Sequence, residues 1–219
     1  SHDIRTPMNA IIGFSDLLER HIDDREKAVD YIHKIRESSD FLLSLINSVL
    51  EMARIESGKV ELNKEVCYVP EFMESLSAVF ETSIREKKLE YRCNVKVVHE
   101  YVMGDETKLR EIFLNVISNA VKYTPEGGRI SLDVNEIQTD QKETATFVIT
   151  LQDTGIGMSA DYLPHIFEEF TREHTSTESR VVGTGLGLPI VKSLVELMGG
   201  TIQVESAQNK GTKIVIVLS

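Results

Sequence analysis

Apolar residues in the first third of the chain recur at intervals of three and four, and that period breaks near residue 58. Ile4, Met8, Ile11, Ile12 and Leu18 fall on one stripe of an amphipathic helix over residues 1–20. Asp23, with Glu26 three positions later, reads as a capping box that opens a second helix. Along it Ala28, Ile32, Ile35, Ser39, Leu42, Ile46, Val49 and Ala53 keep an alternating four-three spacing, which predicts a long supercoiled seam. A helix over residues 24–56 spans about 50 Å at roughly 1.5 Å per residue. Phe41, Leu43, Leu45 and Leu50 lie outside that seam, so a single partner helix leaves apolar surface uncovered. Two such hairpins pairing into a four-helix bundle would cover it, and the pattern predicts a homodimerising hairpin.

Ser57-Gly58 stops the second helix and marks a boundary, dividing the chain into residues 1–58 and 59–219. Residues 60–66 alternate like a strand, and Pro70 then opens a helix to about residue 87. Residues 89–98 are a further strand candidate, and residues 105–122 form a helix whose buried face is Leu109, Ile112, Phe113, Val116, Ile117 and Ala120. Strands over 129–137 and 144–153 flank a polar turn at 138–143. A short helix near 160–166, a polar loop, a helix over 186–198 and two terminal strands complete the pattern. The second part is thus an α+β sandwich, a mixed sheet with helices on one face.

Composition narrows the setting. At 41% hydrophobic and 27% charged the 219 residues are those of an ordinary globular chain. A net charge of -11 disfavours nucleic acid and anionic membrane surfaces as partners. An anionic ligand would therefore need a metal ion and local donors. Cys67 and Cys93 have neither metal-ligand nor disulfide spacing and read as reduced packing or surface residues. No apolar run approaches the roughly 18 residues of a membrane helix, and no stretch of these residues reads as a signal peptide.

Five short motifs carry the chemistry. At the start, Ser1-His2-Asp3-Ile4-Arg5-Thr6-Pro7-Met8-Asn9 sets a histidine beside a carboxylate, with the Thr6 hydroxyl one helical turn on and Pro7 just beyond. Such a histidine is a candidate nucleophile, its ring oriented by Asp3. A reactive helix would not normally begin one residue ahead of its key side chain, so the chain is expected to be a segment of a longer protein. On the 105–122 helix, Asn115, Asn119 and Lys122 share one face. Amide oxygens suit Mg2+, and the lysine suits phosphate. Next, Asp153-Thr154-Gly155-Ile156-Gly157-Met158 follows a strand, where the carboxylate can accept from an adenine amino group. Gly183-Thr184-Gly185-Leu186-Gly187-Leu188 opens a helix and presents N–H groups to phosphates, without the third glycine of a dinucleotide fingerprint. Gly211-Thr212 sits in the terminal hairpin, where a plain turn is the simpler reading.

In this order the last four motifs resemble the Bergerat-type (GHKL-type) ATP-binding domain shared by sensor histidine kinases, type II topoisomerases, Hsp90-type chaperones and MutL-type repair proteins. The segment from Ser1 to Asn9 resembles the histidine box of sensor kinases, and only they pair the two. The whole chain resembles the catalytic core of a sensor histidine kinase, of the type common in hybrid kinases. That resemblance implies a dimerisation and phosphotransfer domain over 1–58 and a catalytic ATP-binding domain over 59–219. It implies His2 as phosphoacceptor, Asp3 as its acidic assistant, and Thr6 as the position orienting water for dephosphorylation of a partner response regulator. Asn119 would be the Mg2+ ligand with Asn115 beside it, Lys122 a phosphate contact, Tyr123 a residue that stacks on or closes the nucleotide pocket, and Asp153 the adenine reader. Gly155, Gly157, Gly183, Gly185 and Gly187 would shape the loops, with Leu186, Leu188 and Thr212 in the same pocket. Phe167-Glu168-Glu169-Phe170 resembles the phenylalanine box, Arg172 would reach the γ-phosphate, and residues 171–184 would form a mobile ATP lid.

The activity so implied is ATP- and Mg2+-dependent autophosphorylation of His2, then transfer to an aspartate of a receiver domain, separate or fused downstream. The setting would be the cytoplasmic portion of a bacterial signalling protein whose full-length parent can be anchored in the inner membrane. Two rivals stand beside it. An ATPase of the topoisomerase and chaperone kind would use water as acceptor, but the place of its glutamate base holds Asn115. A non-catalytic nucleotide-sensing scaffold would not need the intact box from Ser1 to Pro7.

Overall fold

The computed structural model describes residues 2–137, 144–171, 173 and 183–219, with His2 described in its backbone alone. A helical hairpin comes first. Helix α1 spans His2–Arg20 and runs on through Pro7, and α2 spans Arg25–Glu56. The cap of α2 is Asp24 rather than Asp23: its carboxylate accepts from the Lys27 N–H at 3.2 Å. Of two adjacent aspartates, the one with extended backbone three residues before a free N–H takes the role.

The covered stripe of α2 is also rotated by one residue from the expected seam. Ala28, Ile35, Ser39, Leu42 and Val49 are shared, but Tyr31, Ser38, Leu45 and Met52 are covered where Ile32, Ile46 and Ala53 are exposed. Two causes are visible. Tyr31 stacks on Phe14 of α1 with ring centroids 6.2 Å apart, and Leu45 is completely buried in the core of the α+β part. Leu45 is thus covered by the chain's own second half, not by another hairpin.

The remaining elements are β1 (Glu65–Tyr68), α3 (Val69–Glu86), β2 (Glu90–Lys96), β3 (Tyr101–Gly104), α4 (Glu106–Tyr123), β4 (Arg129–Ile137), β5 (Thr146–Asp153), α5 (Gly187–Leu197), β6 (Thr201–Ala207) and β7 (Gly211–Leu218). Five strands form one sheet in the order β2-β4-β5-β7-β6, antiparallel except for the β2–β4 pair. Strands β1 and β3 form a separate antiparallel ribbon. The expected strand over 60–66 is therefore shorter and later, and β3 was not anticipated. Four residues with one buried position in β1 and none in β3 carry too little signal to be read, and pairing across the ribbon is what makes them strands. The expected helix near 160–166 is a 3-10 turn at Leu163–His165. The polar turn at 138–143 and residues 172 and 174–182 of the later polar loop lie outside the described residues.

Helices α3, α4 and α5 pack on one face of the large sheet, around Ile117, Ile130, Leu132, Val191, Leu194 and Ile216. Among the described residues no helix is long and apolar enough to cross a membrane. Helix α2 lies against α5, and Lys108 of α4 pairs with Glu51 of α2 and with Glu111 at 3.3 Å. Burial pushes the Glu111 carboxyl up, Lys108 pulls it back, and Glu51 adds to the rise.

Lys108→Met is expected to lose about 1–3 kcal/mol, the cost of leaving a partly buried group without its partner, because two half-buried carboxylates then face each other. The carboxyl of Glu111 then sits still higher, so the deficit is greatest at neutral pH and shrinks as acid protonates it. Thermal melts at pH 5 and 7.5 measure this; a deficit independent of pH would contradict the pairing.

Candidate active site

The ends of four elements converge: α4 at Tyr123, β5 at Asp153, α5 at Gly187 and β7 at Gly211. Between them lies a cavity of about 360 Å³. Of the residues singled out in the sequence, Asn115, Asn119, Lys122, Tyr123, Asp153, Gly157, Gly183, Gly185, Gly187, Leu188 and Thr212 line it. Gly155, Leu186 and Phe170 stand behind the lining. Leu186 is wholly buried, and the Phe170 N–H donates to the Gly185 carbonyl at 3.1 Å.

Helix α4 explains why the polar residues arrive together. Ile112, Phe113, Val116, Ile117 and Ala120 are buried, which turns Asn115, Asn119 and Lys122 to the cavity. The Asn115 amide donates to the Glu111 carbonyl at 2.9 Å. Its oxygen faces α5, 2.9 Å from where a Cβ on Gly187 would stand. The Lys122 ammonium lies 5.1 Å from the Tyr123 ring centroid and 2.6 Å from where a Cβ on Gly183 would stand. The start of α5 has no side-chain cap and no acid in its first turn. Its N–H groups and positive dipole end are left for an anion.

Asp153 is 8% exposed. Its Oδ1 accepts from the Gly155 N–H at 2.7 Å and the Thr212 N–H at 3.3 Å. Among the described residues no donor reaches Oδ2, so that oxygen can accept from a ligand. Burial pushes the carboxyl up, and the two backbone donors hold it back.

Two glycines let backbones close around this carboxylate. A Cβ on Gly157 (φ +63) would meet the Ala207 carbonyl oxygen at 1.9 Å. A Cβ on Gly211 (φ +84) would meet the Asp153 carbonyl oxygen at 2.0 Å. Neither position admits another residue without moving a strand. Gly211-Thr212 is therefore more than a plain turn.

Three contributors escaped the sequence. Phe41 and Ser44 of α2 also line the cavity. Phe41 lay off the heptad seam, and that was its one signal. Ser206 of β6 accepts from the Met158 N–H at 2.9 Å and donates to the Gly211 carbonyl at 2.9 Å, clasping the 155–158 loop. A serine in an alternating strand carries no such signal. Asp3 and Thr6 sit on the first turns of α1 and are not among the cavity's lining. The His2 side chain, Arg172 and residues 174–182 of the expected lid lie outside the described residues.

Residues 104–219 match the family of histidine kinase-, DNA gyrase B- and HSP90-like ATPases, and residues 1–58 match the His Kinase A (phospho-acceptor) domain. The chain belongs to the histidine kinases. This kinase is 35% identical over its whole length to the autoinducer 2 sensor kinase/phosphatase LuxQ of Vibrio harveyi. It is 36% identical to the sensor protein GacS of Pseudomonas syringae pv. syringae. It spans 25% and 24% of those two proteins and 41% of an uncharacterised sensor-like histidine kinase of Rhizobium meliloti (strain 1021), to which it is 35% identical. Full-length ShkA in complex with AMPPNP superposes with a TM-score of 0.73 at 30% identity, over 99% of this chain and 44% of that one. The histidine kinase ThkA, solved with the response regulator TrrA, shares the fold with a TM-score of 0.76 at 23% identity, over 99% of this chain and 58% of that one.

For Asp153→Asn in this kinase, the Oδ1 acceptor survives and Oδ2 becomes a donor. ATP affinity is expected to fall about 10- to 100-fold, the worth of a charged hydrogen bond. Stability should not fall, because a raised carboxyl costs stability as pH rises through its unfolded value, and the amide removes that slope. Nucleotide titration with melts from pH 5 to 8 checks both. Gly157→Ala should instead lose nucleotide binding and melting temperature together.

Proposed function

We propose that this chain is the autokinase core of a two-component signalling protein: it transfers the γ-phosphoryl group of ATP to His2 and passes it to an aspartate of a receiver domain. One observation carries the reading most. Phe14 stacks on Tyr31, and both helices rise equally, so twelve residues back along α1 His2 is level with about residue 43 of α2. Phe41 and Ser44, at that height, line the nucleotide cavity. The start of the phosphoacceptor helix and the phosphoryl donor's site thus share one level of the hairpin.

In the step itself a ring nitrogen of His2 attacks the γ-phosphorus and the bond to the β,γ-bridging oxygen breaks, releasing ADP. Asp3 holds the other ring nitrogen and stabilises the charge that develops on the ring. Asp153 Oδ2 reads the adenine amino group. Lys122, the Gly183 to Gly187 loop and the α5 N-terminus take the phosphates, and Tyr123 walls the pocket; most of the catalysis is positioning and electrostatics. Asn119 and Asn115 offer the hard amide oxygens that Mg2+ prefers. Two amide oxygens fit a metal that keeps several waters and completes its shell with substrate phosphates. Mg2+ bound there would offset triphosphate charge. Asn115 has no useful basicity, so activation of water is disfavoured.

We assign residues 1–58 to dimerisation and phosphotransfer and 59–219 to catalysis. The Asn63 N–H donates to Asp105 at 2.9 Å, which leaves residues 57–62 as the span across which the catalytic unit swings to His2. The second copy is expected against the outer face of the hairpin. There Met8, Ile12, Ile32, Leu43, Ile46 and Leu50 are 40–59% exposed on the described chain. Thr6, one turn after His2, is assigned to dephosphorylation of the receiver.

Incubation with Mg2+ and γ-labelled ATP should give acid-labile label on the protein, lost in His2→Ala and in Asn119→Ala. Free phosphate with unlabelled protein would sink the reading in favour of an ATPase.

A further inference from the structure

The nucleotide face of α4 is held from behind by a lysine outside the cavity. Helix α4 ends at Tyr123, and a helix leaves its last carbonyls without partners of their own. Here each finds a donor. The Ala120 carbonyl accepts from the Thr124 N–H at 3.0 Å and the Tyr123 carbonyl from the Ile156 N–H at 3.2 Å. The two between, Val121 and Lys122, accept from one ammonium, that of Lys87, at 2.6 and 3.2 Å.

Lys87 is placed for this by its own surroundings. It is the C-cap residue of α3, followed by Lys88 in the left-handed region at φ 51. Its carbonyl accepts from the Gly127 N–H at 3.0 Å, so the turn after α4 is tied to the same residue. Among the described residues no carboxylate pairs with it. Its positive charge faces the negative end of the α4 dipole, an arrangement that favours a cation over a neutral donor. Burial pulls the ammonium down from its usual range.

The C-terminal turn of α4 joins this clamp to the nucleotide cavity. The Lys122 carbonyl is held by Lys87, while the Lys122 ammonium lies against Gly183 of the phosphate-facing loop and beside the Tyr123 ring. We propose that Lys87 is a positioning residue for ATP: by clamping the Val121 and Lys122 carbonyls it sets the reach of Lys122 to the phosphates and the tilt of Tyr123 over the pocket. The inference rests on the assignment of Lys122 to phosphate.

The test uses the full 219-residue chain and four variants: Lys87→Met, Lys87→Gln, Lys87→Arg and Lys122→Met. The readouts are autophosphorylation KM and kcat for ATP, binding of ATP and ADP by titration, and melting temperature. Lys87→Met should raise the KM for ATP about tenfold with kcat changed less than about twofold. Lys87→Arg, which restores a cationic donor, should return KM to within about twofold of the parent. Lys87→Gln keeps a neutral donor for one carbonyl and should fall between, so the series stands even if the methionine variant does not fold. A lower melting temperature with unchanged KM in Lys87→Met or Lys87→Gln would overturn the proposal, as would an arginine variant no better than methionine. Lys122→Met separates the two layers. If it leaves ATP binding unchanged, the phosphate assignment fails and the Lys87 inference with it. If it weakens ATP binding while the Lys87 variants do not, only the inference fails.

Discussion

Helix α4 has one face in the core and the other in the cavity, and that division is the constraint on which the rest depends. Ile112, Phe113, Val116, Ile117 and Ala120 are buried to a few per cent or less. Each such side chain removed from water contributes roughly 1.5–3 kcal/mol to holding the helix against the sheet and its neighbouring helices. The rotation that buries them leaves no freedom for Asn115, Asn119 and Lys122, which must point the other way. The helix is fixed at both ends as well. Asp105 caps its start by accepting from Lys108 at 2.9 Å, and Lys87 with Ile156 closes its end.

The second half of the site is a matter of backbone crowding. The 155–158 loop, the start of β7 and the end of β6 approach closely enough that two glycines are obligatory and one serine bridges all three. Asp153 is the focus of that crowding. Its Oδ1 is taken up by two backbone donors, which keeps a buried carboxylate tolerable, and among the described residues no donor reaches its Oδ2. Structure and recognition are divided between two oxygens of one side chain. Substituting either glycine would disturb both at once, whereas Asp153→Asn, which keeps the Oδ1 acceptor, disturbs recognition alone.

The hairpin and the catalytic unit meet along α2, where an apolar contact and an ionic one lie close together. Leu45 enters the core and Glu51 reaches Lys108. The ionic part sits on the same helix that carries the nucleotide side chains. Separating the α+β part from α2 would therefore break the Glu51 pair and withdraw Phe41 and Ser44 from the cavity wall.

The sequence by itself determined the change of period near residue 58, the helices of the hairpin, most of the strands and helices of the second part and most of the residues that line the cavity. Those features are local: a helical period, a capping carboxylate, or glycines and amides at fixed spacing state their geometry within a few turns of chain. Asn115, Asn119 and Lys122 were legible because a helix turns spacing directly into direction. Only the tertiary structure decided the rest. The choice of Asp24 over Asp23, the rotation of the α2 stripe toward Tyr31 and Leu45, the β1–β3 ribbon, the Ser206 clasp and the Lys87 clamp were all settled by the folded arrangement around them. No local pattern encodes which carbonyl an ammonium 34 residues away will meet. That is settled only when long-range burial has brought α3 to the end of α4.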